Sequence, residues 1–143
     1  MLEKRILIID DDPHLLLGLT PRLKANGYKV VTAPDAALAI GVARNELPDL
    51  IILDLRLPAV SDGMLLLQKI RSTAELMQTP VIVLSSADAG ECERSVLDAG
   101  AMAFFQKPVV NSELLAAIRR ALTEVTDRSR AAPSSSVLPM IQT

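Results

Sequence analysis

Aromatic side chains are nearly missing from this 143-residue chain, which has two Phe, one Tyr and no Trp. A core for one domain must therefore be aliphatic, and half of the residues are apolar, which is ample for it. Cysteine is scarcer still. The single Cys92 excludes an internal disulfide and any multi-cysteine zinc site, and its expected role is a small buried helix residue. The single histidine, His14, falls at a helix start, where a solvated surface residue is expected rather than a functional one. There is no excess of positive charge: Lys and Arg total 15 against 17 Asp and Glu, a net charge of -2 without a basic block. Direct binding of nucleic acid is disfavoured, because neutralising phosphates requires clustered cations. No apolar run approaches the roughly 18 residues of a membrane span. Met1-Leu2-Glu3-Lys4-Arg5 leads straight into a short strand rather than into a signal peptide. A soluble, cytoplasmic protein with no membrane partner is expected.

What the chain does contain is a series of short aliphatic runs, each closed by a polar residue. Leu50-Ile51-Ile52-Leu53 ends in Asp54, and Pro58 then stops any strand ladder. Ile6-Leu7-Ile8-Ile9 ends in Asp10-Asp11-Asp12, Val81-Ile82-Val83-Leu84 in Ser85-Ser86, and a run over Met102 to Phe105 in Gln106-Lys107-Pro108. Runs apolar at every position read as strands buried on both faces of a parallel sheet.

Helical segments alternate with these strands. Pro13, with acids before it, opens a helix with Leu15, Leu19 and Leu23 on one face, and Asn26-Gly27 ends it. Pro21 inside that helix predicts a kink or an early loosening. Tyr28 to Val31 reads as a strand, and Asp35 to about Asn45 as an Ala-rich helix ending before Pro48. A loop through Pro58 and Gly63 precedes a helix from about Met64 to Ser72. The next helix, about Glu91 to Ala99, turns Cys92 and Val96 inward and stops at Gly100. Asn111 or Ser112 can cap the last one, in which Leu114, Ile118 and Leu122 recur at helical spacing. Strict β-α alternation implies an α/β fold, a five-stranded parallel sheet with helices on both faces and right-handed crossovers, and the flavodoxin-like doubly wound order 2-1-3-4-5 is the one expected here.

In that order the first and third strands are neighbours, and their terminal carboxylates lie a few Å apart. Two unit charges at about 4 Å repel by roughly 4 kcal/mol at an effective dielectric of about 20. A hard divalent cation with oxygen ligands, Mg²⁺ above all, suits such a cluster. A metal alone leaves Lys107 and Ser85 without a task. A phosphoryl group on Asp54 accounts for them: the ion and the lysine neutralise charge on the transferring oxygens, and the serine hydroxyl donates to one of them.

Taken together, Ile-Leu-Ile-Ile-Asp10-Asp11, Leu-Asp54-Leu-Arg-Leu-Pro58, Val-Leu-Ser85-Ser86 and Lys107-Pro108 resemble the receiver domain of two-component response regulators, over roughly Lys4 to Glu124. The resemblance implies that Asp54 accepts a phosphoryl group from a phosphohistidine. The donor would be a sensor histidine kinase or a histidine phosphotransfer protein. It implies that Asp11, Asp54 and the backbone carbonyl of Arg56 ligate Mg²⁺, with Asp10 acting through water. Ser85 takes the switch hydroxyl position, Phe104 the aromatic switch position, and Lys107-Pro108 the lysine-proline pair that often bears a cis bond. The responding face, and a possible homodimer, would be residues 91–99, 102–105 and 113–124. Asp12 is expected to cap the first helix rather than to bind metal.

Three features depart from the family pattern: the loop of residues 58–63 is one residue longer than usual, Val109 stands where Phe is common, and Pro21 lies inside the first helix. A phosphatase of the haloacid-dehalogenase type would need a carboxylate two residues after the nucleophile, where Arg56 stands. A nucleotide site would want glycines after the first strand, where three Asp stand instead. An interaction module that keeps the fold without phosphorylation is opposed by the acidic pair, the acceptor and the lysine. Arg119 and Arg120 read as a solvated helix face. The chain is thus expected to be a signalling phosphoacceptor, not an enzyme acting on a separate substrate.

The domain is expected to occupy residues 1–126, with residues 127–143 a flexible tail or truncated linker. From Ala131 to Thr143 there is no charge, and Ser134-Ser135-Ser136 lies between Pro133 and Pro139. No output domain is expected after Thr126, so the sequence reads as a stand-alone regulator or a piece of a longer one. Deleting residues 131–143 should change the unfolding free energy by less than about 0.5 kcal/mol, the usual scale away from buried features. A cooperative loss of stability in urea would show that Val137-Leu138 and Met140-Ile141 are packed.

Overall fold

Residues 50–54, the aliphatic run that ends in Asp54, form the central strand and are buried throughout. A computed structural model describes residues 3–55, 60–86 and 89–123, and the side chains of all of these except 60–62 and 89–92. The elements are β1 (Arg5–Ile9), α1 (Pro13–Ala25), β2 (Lys29–Ala33), α2 (Ala36–Glu46), β3 (Leu50–Asp54), α3 (Val60–Ser72), β4 (Val81–Ser85), α4 (Ala89–Asp98) and β5 (Ala103–Gln106). A last helix, α5, covers residues 111–123. The strands form one five-stranded sheet in the order β2-β1-β3-β4-β5, all pairs parallel.

Side chains alternate faces along a strand, so each central strand feeds two cores. Leu7, Ile9, Ile51, Leu53, Val81 and Val83 face the layer of α2, α3 and α4. Ile6, Ile8, Leu50, Ile52, Ile82 and Leu84 face α1 and α5, where Leu19, Leu23, Leu114 and Ile118 meet them. This is why the three central runs are apolar at every position. The edge strands β2 and β5 are only partly buried, and their sequences are correspondingly more mixed.

Several boundaries differ from those expected. The first helix runs without interruption through Pro21, and the Asn26 amide still bonds the Arg22 and Leu23 carbonyls, so it does not loosen early. Pro21 and Leu17, whose carbonyl loses its partner, are both exposed, and water can serve that carbonyl. Asp12 caps this helix as expected, accepting from the His14 amide at 2.9 Å. His14, Arg119 and Arg120 are exposed, and Val96 is buried, whereas the side chain of Cys92 lies outside the described residues. Helix α5 begins before Ser112: the Val110 carbonyl already accepts from the Glu113 and Leu114 amides, so Val110 stands at the cap position and the expected caps Asn111 and Ser112 lie within the first turn.

The largest difference is at α3, which starts at Val60 and not near Met64. Gly63 therefore lies inside a helix rather than in a loop. Its backbone passes so close to β3 that a Cβ there would collide with the main chain of Leu55. The glycine serves helix-to-strand contact. Gly63→Ala should destabilise the protein by about 2 kcal/mol or more, since backbone and not a flexible side chain would have to yield. Urea unfolding at the parental midpoint would contradict that close approach.

Candidate functional site

Four of the five strands deliver polar residues to one edge of the sheet. β1 ends at Ile9, and Asp10 follows, tied to β2 through its amide on the Ala33 carbonyl at 3.2 Å. β3 ends in Asp54, and the next amide, Leu55, bonds the Leu84 carbonyl of β4 at 3.0 Å. β4 ends in Ser85, whose carbonyl accepts from the Lys107 amide at 2.8 Å. Lys107 is thus placed by the end of β4 as well as by β5. The Lys107–Pro108 peptide is cis.

Because β1 and β3 are paired, with Ile9 opposite Leu53, Asp10 and Asp54 project from adjacent strand ends. Both are buried, at 1% and 5% exposure, which is uncommon for carboxylates without compensation. Compensation comes from the Lys107 ammonium, 3.2 Å from Asp10 Oδ2 and 3.5 Å from Asp54 Oδ2. The second Asp10 oxygen, Oδ1, accepts from the Asp12 amide at 2.9 Å. Sequence reasoning assigned Asp12 a capping role and missed this second one, which the short Asp-to-Asp spacing could have signalled.

The electrostatics follow from this geometry. Burial raises the pKa of Asp10 above the ordinary carboxylate value, and the Asp54 carboxylate adds to the rise, against the Asp12 amide and Lys107. For Lys107 burial alone would lower the pKa. The Asp10 and Asp54 carboxylates outweigh it, and the ammonium is held above its ordinary value. Lys107 satisfies only part of the negative charge.

Asp10, Asp11 and Asp54 each offer a carboxylate oxygen, all within 4.8 Å of one another, with Asp11 exposed at the mouth. This donor set, all oxygen, fits a hard divalent cation that keeps several waters. Of the other expected residues, Ser85 is fully buried at the end of β4, and Phe104 is half-buried opposite Val83, packed against the α2–α4 core. Arg56, the expected carbonyl ligand, and residues 58 and 59 of the expected 58–63 loop lie outside the described residues, as does the tail from 127.

A family model, the response regulator receiver domain, matches residues 6–119. The response regulator MprA of Mycolicibacterium vanbaalenii is 34% identical over 133 residues, covering 93% of this chain and 56% of that protein. The transcriptional regulatory protein KdpE of Mycobacterium tuberculosis is 37% identical over 138 residues, covering 96% of this chain and 57% of that protein. The chain therefore spans little more than half the length of these curated relatives. Among solved structures, the CheY-like receiver domain protein of Methanospirillum hungatei JF-1 superposes with a TM-score of 0.80 at 31% identity, covering 89% of this chain and 99% of that one. The BeF3-activated receiver domain of Klebsiella pneumoniae RstA gives 0.76 at 31% identity, over 83% of this chain and 98% of that one. Sequence, topology and strand-end chemistry coincide over the same span, and this chain belongs to the family of response regulator receiver domains.

Proposed function

We propose that Asp54 is the phosphoacceptor of this receiver domain, and that its donor is a phosphohistidine on a sensor histidine kinase or a histidine phosphotransfer protein. The observation that carries this reading is the convergence of Asp10, Asp54 and Lys107 in one partly buried cluster at the sheet edge. An Asp54 oxygen attacks phosphorus as the donor's N–P bond breaks, and that electron pair returns to the imidazole nitrogen. Lys107 holds one side of the transferring group and lowers the cost of its charge. The Ser85 hydroxyl, at the adjacent strand end, donates to a phosphoryl oxygen. Asp11, Asp54 and the Arg56 carbonyl would hold Mg²⁺, with Asp10 acting through water. The ion would offset the charge on the phosphoryl oxygens. The chain catalyses only its own phosphorylation and dephosphorylation, in the cytoplasm, without touching nucleic acid or membrane through these residues. Phe104 and the surface of residues 91–99, 102–105 and 113–124 pass the change to a partner or a second copy.

Incubation with Mg²⁺ and acetyl phosphate should add one phosphoryl group, read by intact mass, and Asp54→Asn should abolish it. Equal phosphorylation of the variant would overturn the assignment. Mg²⁺ binding should weaken most in Asp11→Ala, because a direct ligand is lost; parental affinity in that variant would remove Asp11 from the ligand set.

The pKa shifts predict how metal-free stability depends on pH. Asp10 keeps its proton to higher pH in the folded than in the unfolded state, so its contribution falls as pH rises from the ordinary value of 3.8 through the raised one. The Lys107 contribution has the opposite placement. It is fully present below 10.5 and is lost only as pH rises through the raised value. Asp10→Asn should remove the first dependence and stabilise the metal-free protein at pH 7 by on the order of 1 kcal/mol, net of the weakened Lys107 contact. Urea midpoints measured in chelator across this range test it, and a destabilised Asp10→Asn at pH 7 would contradict it.

A further inference from the structure

Helix α2 carries an uncharged surface that the fold does not use. Its first eight residues, Ala36-Ala37-Leu38-Ala39-Ile40-Gly41-Val42-Ala43, include no polar side chain. Ala39 and Ala43 are buried, and Ala36, Ile40 and Val42 pack partly against the core. Ala37, Leu38 and Gly41 face solvent, where a surface helix ordinarily presents charge. The patch continues onto α3. Ala36 and Ala37 share a groove of about 240 Å³ with Leu65, Leu66 and Lys69. Leu38 and Leu65 are 53% and 62% exposed, so the apolar surface spans two helices rather than being a scatter of single side chains.

Gly41 is likewise unused by the fold. A Cβ built on it would meet nothing within 4 Å, and its φ is not positive, so no contact among the described residues calls for glycine there. Glycine in a helix interior is unfavourable relative to alanine. What it offers in return is close approach of another backbone. Ala37 and Gly41, one turn apart on the same face, form a shallow saddle, flanked by Leu38 on one side and by Leu65 across the groove on the other.

The two ends of the helix carry opposite charge. Asp35 is exposed and caps the N-terminus through the Leu38 amide, and Arg44 stands in the last turn, paired across the surface with Glu75 at 3.3 Å. An antiparallel pair of α2 helices about a two-fold axis sets Asp35 of each copy against Arg44 of the other, Ala37 against Gly41 and Leu38 against Leu38. A parallel pair would oppose like charges instead. The patch is thus complementary to itself.

We propose that α2 and the adjoining edge of α3 form an interface with a second copy of this chain, the two α2 helices packed antiparallel across the Ala37–Gly41 saddle. The interface lies on the β1–β2 side of the sheet, away from β5, and requires no phosphoryl group on Asp54. Its failure leaves the phosphoacceptor reading intact. The patch is small and the pair is weak, with a Kd on the order of 100 µM, as for interfaces below the standard size.

Sedimentation velocity of the full, unphosphorylated chain, from about tenfold below to about tenfold above that concentration, should show a monomer–dimer equilibrium. The amide signals of Ala37, Leu38, Gly41 and Leu65 should shift with it. Leu38→Glu and Gly41→Gln should each leave a monomer throughout. Gly41→Gln separates docking from stability: it fills the saddle with a better helix former in open space, so its urea midpoint should equal or exceed the parent's. Arg44→Glu should weaken the dimer at least tenfold by facing Asp35 of the other copy. Adding Asp35→Asn, which keeps the cap, should recover most of that loss. Within one chain these two residues stand about 13 Å apart along the helix and are screened from each other, so recovery reports contact between copies. A monomer at every concentration overturns the proposal. So does a dimer that Leu38→Glu and Gly41→Gln leave intact, since its contact lies on another face. Absence of recovery in the double variant overturns the antiparallel arrangement. Should Gly41→Gln fail to fold, Leu38→Glu carries the same comparison.

Discussion

Two buried carboxylates on adjacent strands, compensated by one lysine from a third, set the terms for the rest of this structure. Asp10 and Asp54 repel each other at the ends of β1 and β3, and that juxtaposition is imposed by the parallel register that pairs Ile9 with Leu53. The sheet can sustain it because its centre is fully aliphatic and each strand contributes to two cores. Lys107 relieves part of the repulsion and is itself held by the Ser85 carbonyl. Within the described residues the negative charge of the cluster is thus only partly compensated.

The edges of the sheet divide the labour differently. At the carboxyl ends of the strands, short connections carry the polar residues. At the opposite end, side chains tie down the backbone. There Arg5 bonds the Glu46 carbonyl through its guanidinium, its amide bonds the Asp49 carboxylate at 2.7 Å, and Arg71 binds the loop before β4 and the turn before β5.

Much of this was legible in the residues. Aliphatic runs closed by Asp10, Asp54, Ser85 and Lys107 are conspicuous because a polar residue at the end of a buried strand has few other reasons to be there, and strand alternation with helices leaves few topologies. The cap at Asp12 was legible for the same local reason. The start of α3 was not. Val60 carries no capping signature, and Gly63 looks like a loop residue until the Leu55 backbone is seen against it. Pro21 read as a break because propensity alone cannot report that both it and Leu17 face water.

The sequence by itself determined the element types, the parallel sheet and the polar residues that close its strands. Those depend on period, on chain-local caps and on the handedness of β-α-β connections, all written along the chain, whereas the pairing of β1 with β3 that brings two of those residues together was an expected order that the structure bears out. Only the tertiary structure decided the distances that let Lys107 reach two carboxylates, the second duty of the Asp12 amide and the place of Arg71. Main-chain carbonyls are identical at every residue, so no sequence pattern says which of them a guanidinium will find. That choice is made when remote segments pack.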